Sequence, residues 1–310
     1  MRMKLGRPDL STYDALFDLP PAAPDAPSVT FAGVSTLSFE CSGSALLVDG
    51  FFSRPSLAKV GLRRIAPVPE RIGDGLRRLG LLGAGASRVE AVLPVHSHFD
   101  HVMDSAEVAR RTGALLAGGT STLNVGRGAG LPDAQCRDLE PGVPTAFGPW
   151  TVTAVASEHC PPDRYPGTID APLRTPARAS AYRCGEAWSL LVEHPSAGAT
   201  LVQGSAGFRP GALVGLRADA VYLGIGQLGL LGAEYVEDYW THTVSAVGAR
   251  RVVVTHWDDF FRPLTRPLRA LPYAGDDLDV TMRELRYLAG RDGVSLHFPT
   301  LWRREHPWTP

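Results

Sequence analysis

Residues 96–101 read His-Ser-His-Phe-Asp-His, so three of the chain's nine histidines and one carboxylate fall within six residues. Neutral imidazole and carboxylate are the usual ligands of a catalytic zinc ion. The preceding run, Arg88 to Val95 (RVEAVLPV), reads as a β-strand that feeds directly into the cluster. A strand end followed by a loop and a helix can turn several of these side chains toward one point. A polar loop with incidental histidines accounts poorly for three of them spaced around an aspartate. The chemistry on offer is therefore that of a metal that lowers the pKa of bound water to about 7 and so supplies hydroxide near neutral pH.

The elements that must position this cluster are legible on both sides of it. Residues 1–27 are rich in Pro and Asp and read as an irregular lead-in. From Ser28 to Asp49, the runs VTFAG, STLSFEC and SALLVDG have the pattern of adjacent antiparallel strands. The segment 69–83 (PERIGDGLRRLGLLG) has apolar residues at helical spacing with Gly near its end. DSAEVARRTG (104–113) predicts a helix with Asp104 as its N-cap. WTVTAVASEH (150–159) predicts a strand that ends on His159. Residues 160–185 hold five Pro and little periodicity; a loop this long in a compact domain is usually functional, and it is expected to control substrate access. Strands resume at WSLLVEH, ATLVQGS and DAVYLGIG. A helix over GAEYVEDYWTHTVSAVGA then leads into the strand RVVVTH, and DVTMRELRYLAG predicts one more helix. The order suggests two packed sheets with helices outside them. No linker-like stretch divides the chain.

The cluster matches the HxHxDH motif, and on it the chain resembles the metallo-β-lactamase superfamily. Asp49 in SALLVDGFF resembles that family's buried structural aspartate. His159, 58 residues after His101, resembles its next ligand, and His256 at the end of RVVVTH its last. The resemblance implies an α/β (α+β) fold, a four-layer αββα sandwich spanning 1–310 as one domain, with the site at one edge between the sheets. It further implies that His96, His98 and His159 hold one metal, and that Asp100, His101 and His256 hold a second. Asp100 would orient the hydroxide and act in catalysis. The chain is most similar to the lactonase-related branch, which includes ascorbate-phosphate lactonases. One departure matters. Many members carry a bridging Asp at a strand end of the form "GD", and here the matching place is Gln203-Gly204-Ser205, with Ser205 where that carboxylate would stand. Without it, two nearby cations repel with less compensation. The expected site thus holds one zinc ion, or two bridged mainly by hydroxide. The diiron flavoprotein branch typically has Glu at the position of His98, so His there favours zinc, with Mn and Fe left open because geometry and availability decide selectivity.

Other residues are weighed against blander roles. Cys160, beside His159, is expected to pack in the core. Asp258, two residues past His256, could orient a ligand histidine or be a solvated loop carboxylate. Tyr165, Tyr182 and Trp257 could line a pocket. Gly224-Ile225-Gly226-Gln227-Leu228-Gly229 fits GxGxxG, but the next strand ends in Thr255-His256 rather than an acid, so a dinucleotide site is not supported. These glycines read as a tight loop rimming the metal site. His194, His242, His297 and His306 stand alone.

Composition narrows the classes. With 31 basic and 32 acidic side chains the formal charge is −1, and no basic block favours nucleic acid. The four cysteines are scattered without a CxxC pair, as expected of reduced thiols in a cytoplasmic protein. The N-terminus lacks a continuous apolar region, and no run approaches a membrane span. The expectation is a metal-dependent hydrolase acting on an ester, lactone, amide or phosphoester of a small molecule. A mononuclear iron oxygenase of the same fold, and a binding protein on a disabled site, are the alternatives. Oligomeric state is not readable.

Overall fold

Short β-branched and aliphatic runs separated by Gly and polar turns build two sheets in the computed structural model, which describes residues 4–308. The strands are β1 (Ser28–Phe31), β2 (Leu37–Cys41), β3 (Ser44–Val48), β4 (Arg88–Leu93), β5 (Leu115–Gly118), β6 (Cys136–Asp138), β7 (Pro144–Phe147), β8 (Trp150–Ala156), β9 (Trp188–Glu193), β10 (Thr200–Gln203), β11 (Ala220–Gly224), β12 (Arg251–Thr255), β13 (Ser295–His297) and β14 (Arg304–Glu305). The first sheet runs β14-β1-β2-β3-β4-β5-β6 and the second β13-β12-β11-β10-β9-β8-β7. Each sheet mixes antiparallel meanders with parallel strands. The β3-β4-β5-β6 and β10-β11-β12-β13 steps are parallel, and helices fill most of the intervening crossovers.

The helices are α1 (Leu57–Leu62), α2 (Pro69–Arg78), α3 (Phe99–Val102), α4 (Ser105–Thr112), α5 (Thr120–Gly128), α6 (Ala233–Trp240) and α7 (Leu278–Asp292). Strand alternation sends side chains to both faces of each sheet. From the first sheet, Leu46, Val48, Ala91 and Leu93 face Val152, Leu190, Val202 and Val253 of the second in one shared core. Their neighbours Ala45, Leu47 and Val92 face outward onto Ile72 and Leu76 of α2, Val108 of α4 and Leu123 of α5. Helices α6 and α7 pair with each other, and α7 packs against β13 of the second sheet. The layers are therefore helix, sheet, sheet, helix: the αββα metallo-β-lactamase sandwich that the HxHxDH resemblance implies.

Several local expectations need correction. Asp104 does stand at the N-cap position of α4, where its carbonyl accepts from Val108 N at 3.0 Å, but its side chain does not cap the helix. Its backbone is already helical, because the short α3 runs into it, and its buried carboxylate accepts from Phe52 N, Ser53 N and Ser53 Oγ instead. The lead-in over 1–27 is not wholly irregular: Leu10–Leu16 forms a 3-10 helix that buries Tyr13. Strand β8 stops at Ala156, so His159 sits on the loop beyond it rather than at its end. The helix expected over 69–83 ends at Arg78. The polar, aromatic tail supplies β14, which closes the edge of the first sheet against β1. Residues 160–185 do form a loop with only one 3-10 turn, Ala179–Ala181, but it is knitted down: Ile169, Ala177, Tyr182 and Cys184 are buried, and Asn124 Nδ2 donates to the Ile169 carbonyl at 2.7 Å. Among the described residues no helix is long and apolar enough to cross a membrane.

Candidate metal centre

The parallel strands of both sheets end at the same edge of the sandwich, and the candidate side chains leave from there. β4 delivers His96 and His98; the following turn, α3, carries Asp100 and His101. From the second sheet, the loop after β8 brings His159 and the residue after β12 is His256. Ligand atoms of His96, His98 and His159 lie within 4.8 Å of one another, and so do those of Asp100, His101 and His256. All six positions named from the sequence therefore converge, in the two groups of three expected there.

The imidazole partners show which nitrogen of each ring is bare. His98 Nε2 faces two acceptors, Asp163 Oδ1 at 3.2 Å and the Tyr165 carbonyl at 3.3 Å, so it carries the proton; Nδ1 is left toward His96 Nε2 at 3.1 Å. His101 Nδ1 donates to Asp49 Oδ2 at 2.7 Å, and its buried Nε2 has no hydrogen-bond partner, with Asp100 Oδ2 3.6 Å away. His159 Nδ1 donates to the Cys160 carbonyl at 2.8 Å. In each case an acceptor behind the ring fixes the tautomer and leaves a lone pair facing the cluster, the arrangement metal-bound histidines require. His96 Nε2 and His98 Nδ1 meet at 3.1 Å inside the first group, and in the second the buried His101 Nε2 has no hydrogen-bond partner, so the donor atoms present fit a divalent metal in each group.

Electrostatics agree. Burial, then the neighbouring His101 and His98, hold His96 well below its ordinary pKa, which keeps the ring neutral. Burial and His98 likewise lower His159, to about 4. For Asp100, burial alone would raise the carboxyl, but His101 and His256 outweigh it and hold the group ionised, far below the usual carboxylate range. His256 moves the other way. Burial lowers it, yet its hydrogen bond to Asp100, 3.4 Å from Nε2 to Oδ2, raises it overall.

Backbone geometry at the site is costly. Val34, Asp49, Arg54 and His256 all adopt positive φ, between 41° and 60°. For residues bearing a Cβ such conformations cost of order 1–3 kcal/mol each and persist only where the surroundings impose them. The surroundings are identifiable. His256 N donates to the Val34 carbonyl at 2.8 Å, Val34 N donates to Asp258 Oδ1 at 2.8 Å, and Asp258 Oδ2 pairs with Arg54. Both members of that ion pair are fully buried. Asp258 is thus neither a hydrogen-bond partner of His256 nor a solvated loop carboxylate; it braces the loop through Arg54, which the sequence did not single out. Asp49 also accepts from Val95 N at 2.9 Å, locking the end of β4 to the His101 ring.

The remaining candidates find structural places. Ser205 Oγ accepts from Cys160 N at 2.9 Å, so it pins the residue after His159. Cys160 is buried as expected. Tyr165 meets His98 through its carbonyl and an edge-on ring contact at 6.2 Å. Tyr182 and Trp257 are buried core residues and not pocket lining. The glycine-rich loop does rim the centre: a Cβ on Gly226 would stand 2.7 Å from His256 Nδ1. Two carboxylates were missed. Asp163 lies on the aperiodic loop behind His98, and buried Asp276, raised to about 6 mainly by burial, has an oxygen without a partner and lies near His256. Neither carries a local motif. A cleft of about 230 Å³ opens between the proline-rich loop (Pro161 to Arg164) and the loop bearing Gln227, Leu230 and Leu231.

No family model matches the chain. It is 29% identical over 122 residues to a UPF0173 metal-dependent hydrolase of Thermodesulfovibrio yellowstonii, a match that spans 38% of this chain and 38% of that relative's length. Among solved structures it is similar to Igni18, described as a novel metallo hydrolase from Ignicoccus hospitalis, with TM-score 0.53 and 15% identity over 89% of this chain and 96% of that one. It is also similar to CmlA, a diiron β-hydroxylase from Streptomyces venezuelae, with TM-score 0.54 and 13% identity over 91% of this chain and 54% of that one.

Proposed function

We propose that this chain, which carries the metallo-β-lactamase fold, is a metal-dependent hydrolase of small molecules with zinc as its metal. The observation that carries the reading is the pair of converging ligand groups, in which the rings of His98, His101 and His159 are fixed from behind so that their lone pairs face inward. His96, His98 and His159 would hold one metal, and Asp100, His101 and His256 a second. A bound divalent metal supplies Lewis acidity and a nucleophilic hydroxide near neutral pH. Asp100 stays ionised beside it, so its carboxylate can accept a hydrogen bond from attacking water and orient it for an ester, lactone, amide or phosphoester. Asp49 and the Cys160 carbonyl hold the His101 and His159 rings in position. The cleft is smaller than the roughly 300–1,000 Å³ of typical ligand pockets, which suits a small substrate rather than a polymer. The proline-rich loop forms one wall of it and so would govern access. The matched relative, itself described as a metal-dependent hydrolase, supports the reaction class.

Substituting His96 or His98 by Ala should abolish both zinc retention and hydrolysis of a panel of nitrophenyl esters, lactones and phosphodiesters; full turnover in either variant would sink the proposal. A second reading has a specific basis. Ser205 stands in place of a bridging carboxylate and is committed to Cys160 N, and a structural neighbour is a diiron hydroxylase. Protein made in iron-supplemented medium that retains iron in preference to zinc, and consumes O₂ with substrate, would favour oxygenase chemistry.

A further inference from the structure

The carboxylate behind His98 belongs to the wall of the cleft, and that coincidence has content. Asp163 Oδ1 lies 3.2 Å from His98 Nε2 and also accepts from Tyr165 N at 2.9 Å, closing a tight turn. The Tyr165 carbonyl takes both His98 Nε2, at 3.3 Å, and Cys184 N, at 2.9 Å. The two ends of the proline-rich segment are therefore gathered onto a single imidazole ring. Asp163 also lines the cleft, beside Pro161 and Pro162. The opposite ring, His101, is held by Asp49 from within the first sheet; His98 is held by a residue of the loop.

We propose that Asp163 is a positioning residue that couples the metal at His96, His98 and His159 to the order of the cleft wall. The proposal rests on the metal-binding reading above. His98 Nδ1 would hold the metal, whose charge would polarise the ring, and Asp163 would then accept a stronger hydrogen bond from Nε2–H, tightening residues 160–170 against the centre. By thermodynamic reciprocity, an ordered loop raises metal affinity by the same factor as metal orders the loop. Loss of a carboxylate behind a metal-bound histidine typically costs 10–100-fold in metal affinity. Here the Tyr165 carbonyl remains as a partial substitute acceptor, so the expectation is the lower end, about tenfold.

The test uses the full chain, with zinc affinity from chelator competition and amide hydrogen exchange of residues 160–170 with and without zinc. In the unsubstituted protein, zinc should slow exchange across this segment, the Tyr165 amide included. In Asp163→Ala, affinity should fall about tenfold and the zinc-dependent protection should vanish; Asp163→Glu should restore part of both. Asp170→Ala, which removes an exposed carboxylate from the same loop, should leave both readouts unchanged. Zinc affinity within twofold of the unsubstituted protein, with protection intact, overturns the proposal. So does loss of a whole zinc equivalent with the rest bound normally, because Asp163 would then be a ligand, together with His98 and Cys184. Failure of the unsubstituted protein to bind zinc at all would overturn the metal-binding reading instead. A metal-free melting curve for each variant separates these outcomes from simple misfolding.

Discussion

Replacing Arg54 by Met tests whether the brace behind His256 is what the geometry says it is. Arg54 and Asp258 are both fully buried, and the Arg54 guanidinium reaches Asp258 Oδ2 and, through Nε, the Phe260 carbonyl. Met fills much of the same volume but leaves the Asp258 carboxylate in the interior with one remaining donor, Val34 N. Breaking a buried pair from one side costs about 3–5 kcal/mol, because an uncompensated charge stays behind. Against a total stability of about 5–15 kcal/mol, that is a large fraction. Arg54→Met combined with Asp258→Asn removes the stranded charge while keeping an acceptor for Val34 N, so most of the loss should return. The assay is urea unfolding in chelator, since bound metal would stabilise the native state on its own. Arg54→Lys keeps the charge but cannot fork between two acceptors, and should fall between. A loss below about 1 kcal/mol for Arg54→Met, or a double variant as unstable as the sum of the singles, would refute the argument.

Gly226→Ala should displace His256, because the new Cβ would lie 2.7 Å from Nδ1 and 3.0 Å from the His256 carbonyl; zinc titration should show weakened binding at the second group with the first group intact, and overpacking should cost about 1–3 kcal/mol in urea unfolding. The two groups should also differ in pH dependence. His256 has a raised pKa, so below it a proton competes with metal for Nε2 and affinity falls as pH falls, up to tenfold per unit. His159 is lowered to about 4 and His96 is held well below its ordinary value, so at pH 6 protons should compete less for these two rings than for His256. Isothermal titration at pH 7.5 and 6.0, in buffers of differing ionisation enthalpy, reads the proton released at the second group; equal behaviour of both groups would contradict the assignment.

The candidate metal-site residues were largely legible because their positions are local facts: a six-residue cluster at a strand end, and two later histidines near strand ends. Apolar alternation likewise gave the strands of the shared core. What escaped was set by long-range contact. Arg54 meets Asp258 across 204 residues and Asp163 meets His98 across 65, and nothing in either neighbourhood advertises the pairing. The missing side-chain cap at Asp104 has a related cause. An Asp before a helical pattern is a sound N-cap signal and Asp104 does occupy that position, but Met103 and Asp104 link α3 to α4 with helical backbone angles, and the carboxylate turns away to hold the Phe52–Ser53 loop. β14 was missed because two residues of Arg-Glu carry no strand pattern; pairing with β1 creates it.

Each ligand group draws members from both halves of the chain, and this has a consequence for assembly. His96, His98, Asp100 and His101 precede the exposed turn at 140–143, while His159 and His256 follow it. A cut there would leave two fragments, neither holding a complete triad. If the groups hold metal as proposed, metal binding would then report reassembly: the ion would act as a clasp between the halves, and its stabilisation, about 2.7 kcal/mol at a hundredfold excess over the dissociation constant, would be felt as adhesion across the interface. Recombining the fragments under graded zinc would turn the protein into a two-component sensor whose threshold is set by the ion rather than by either piece.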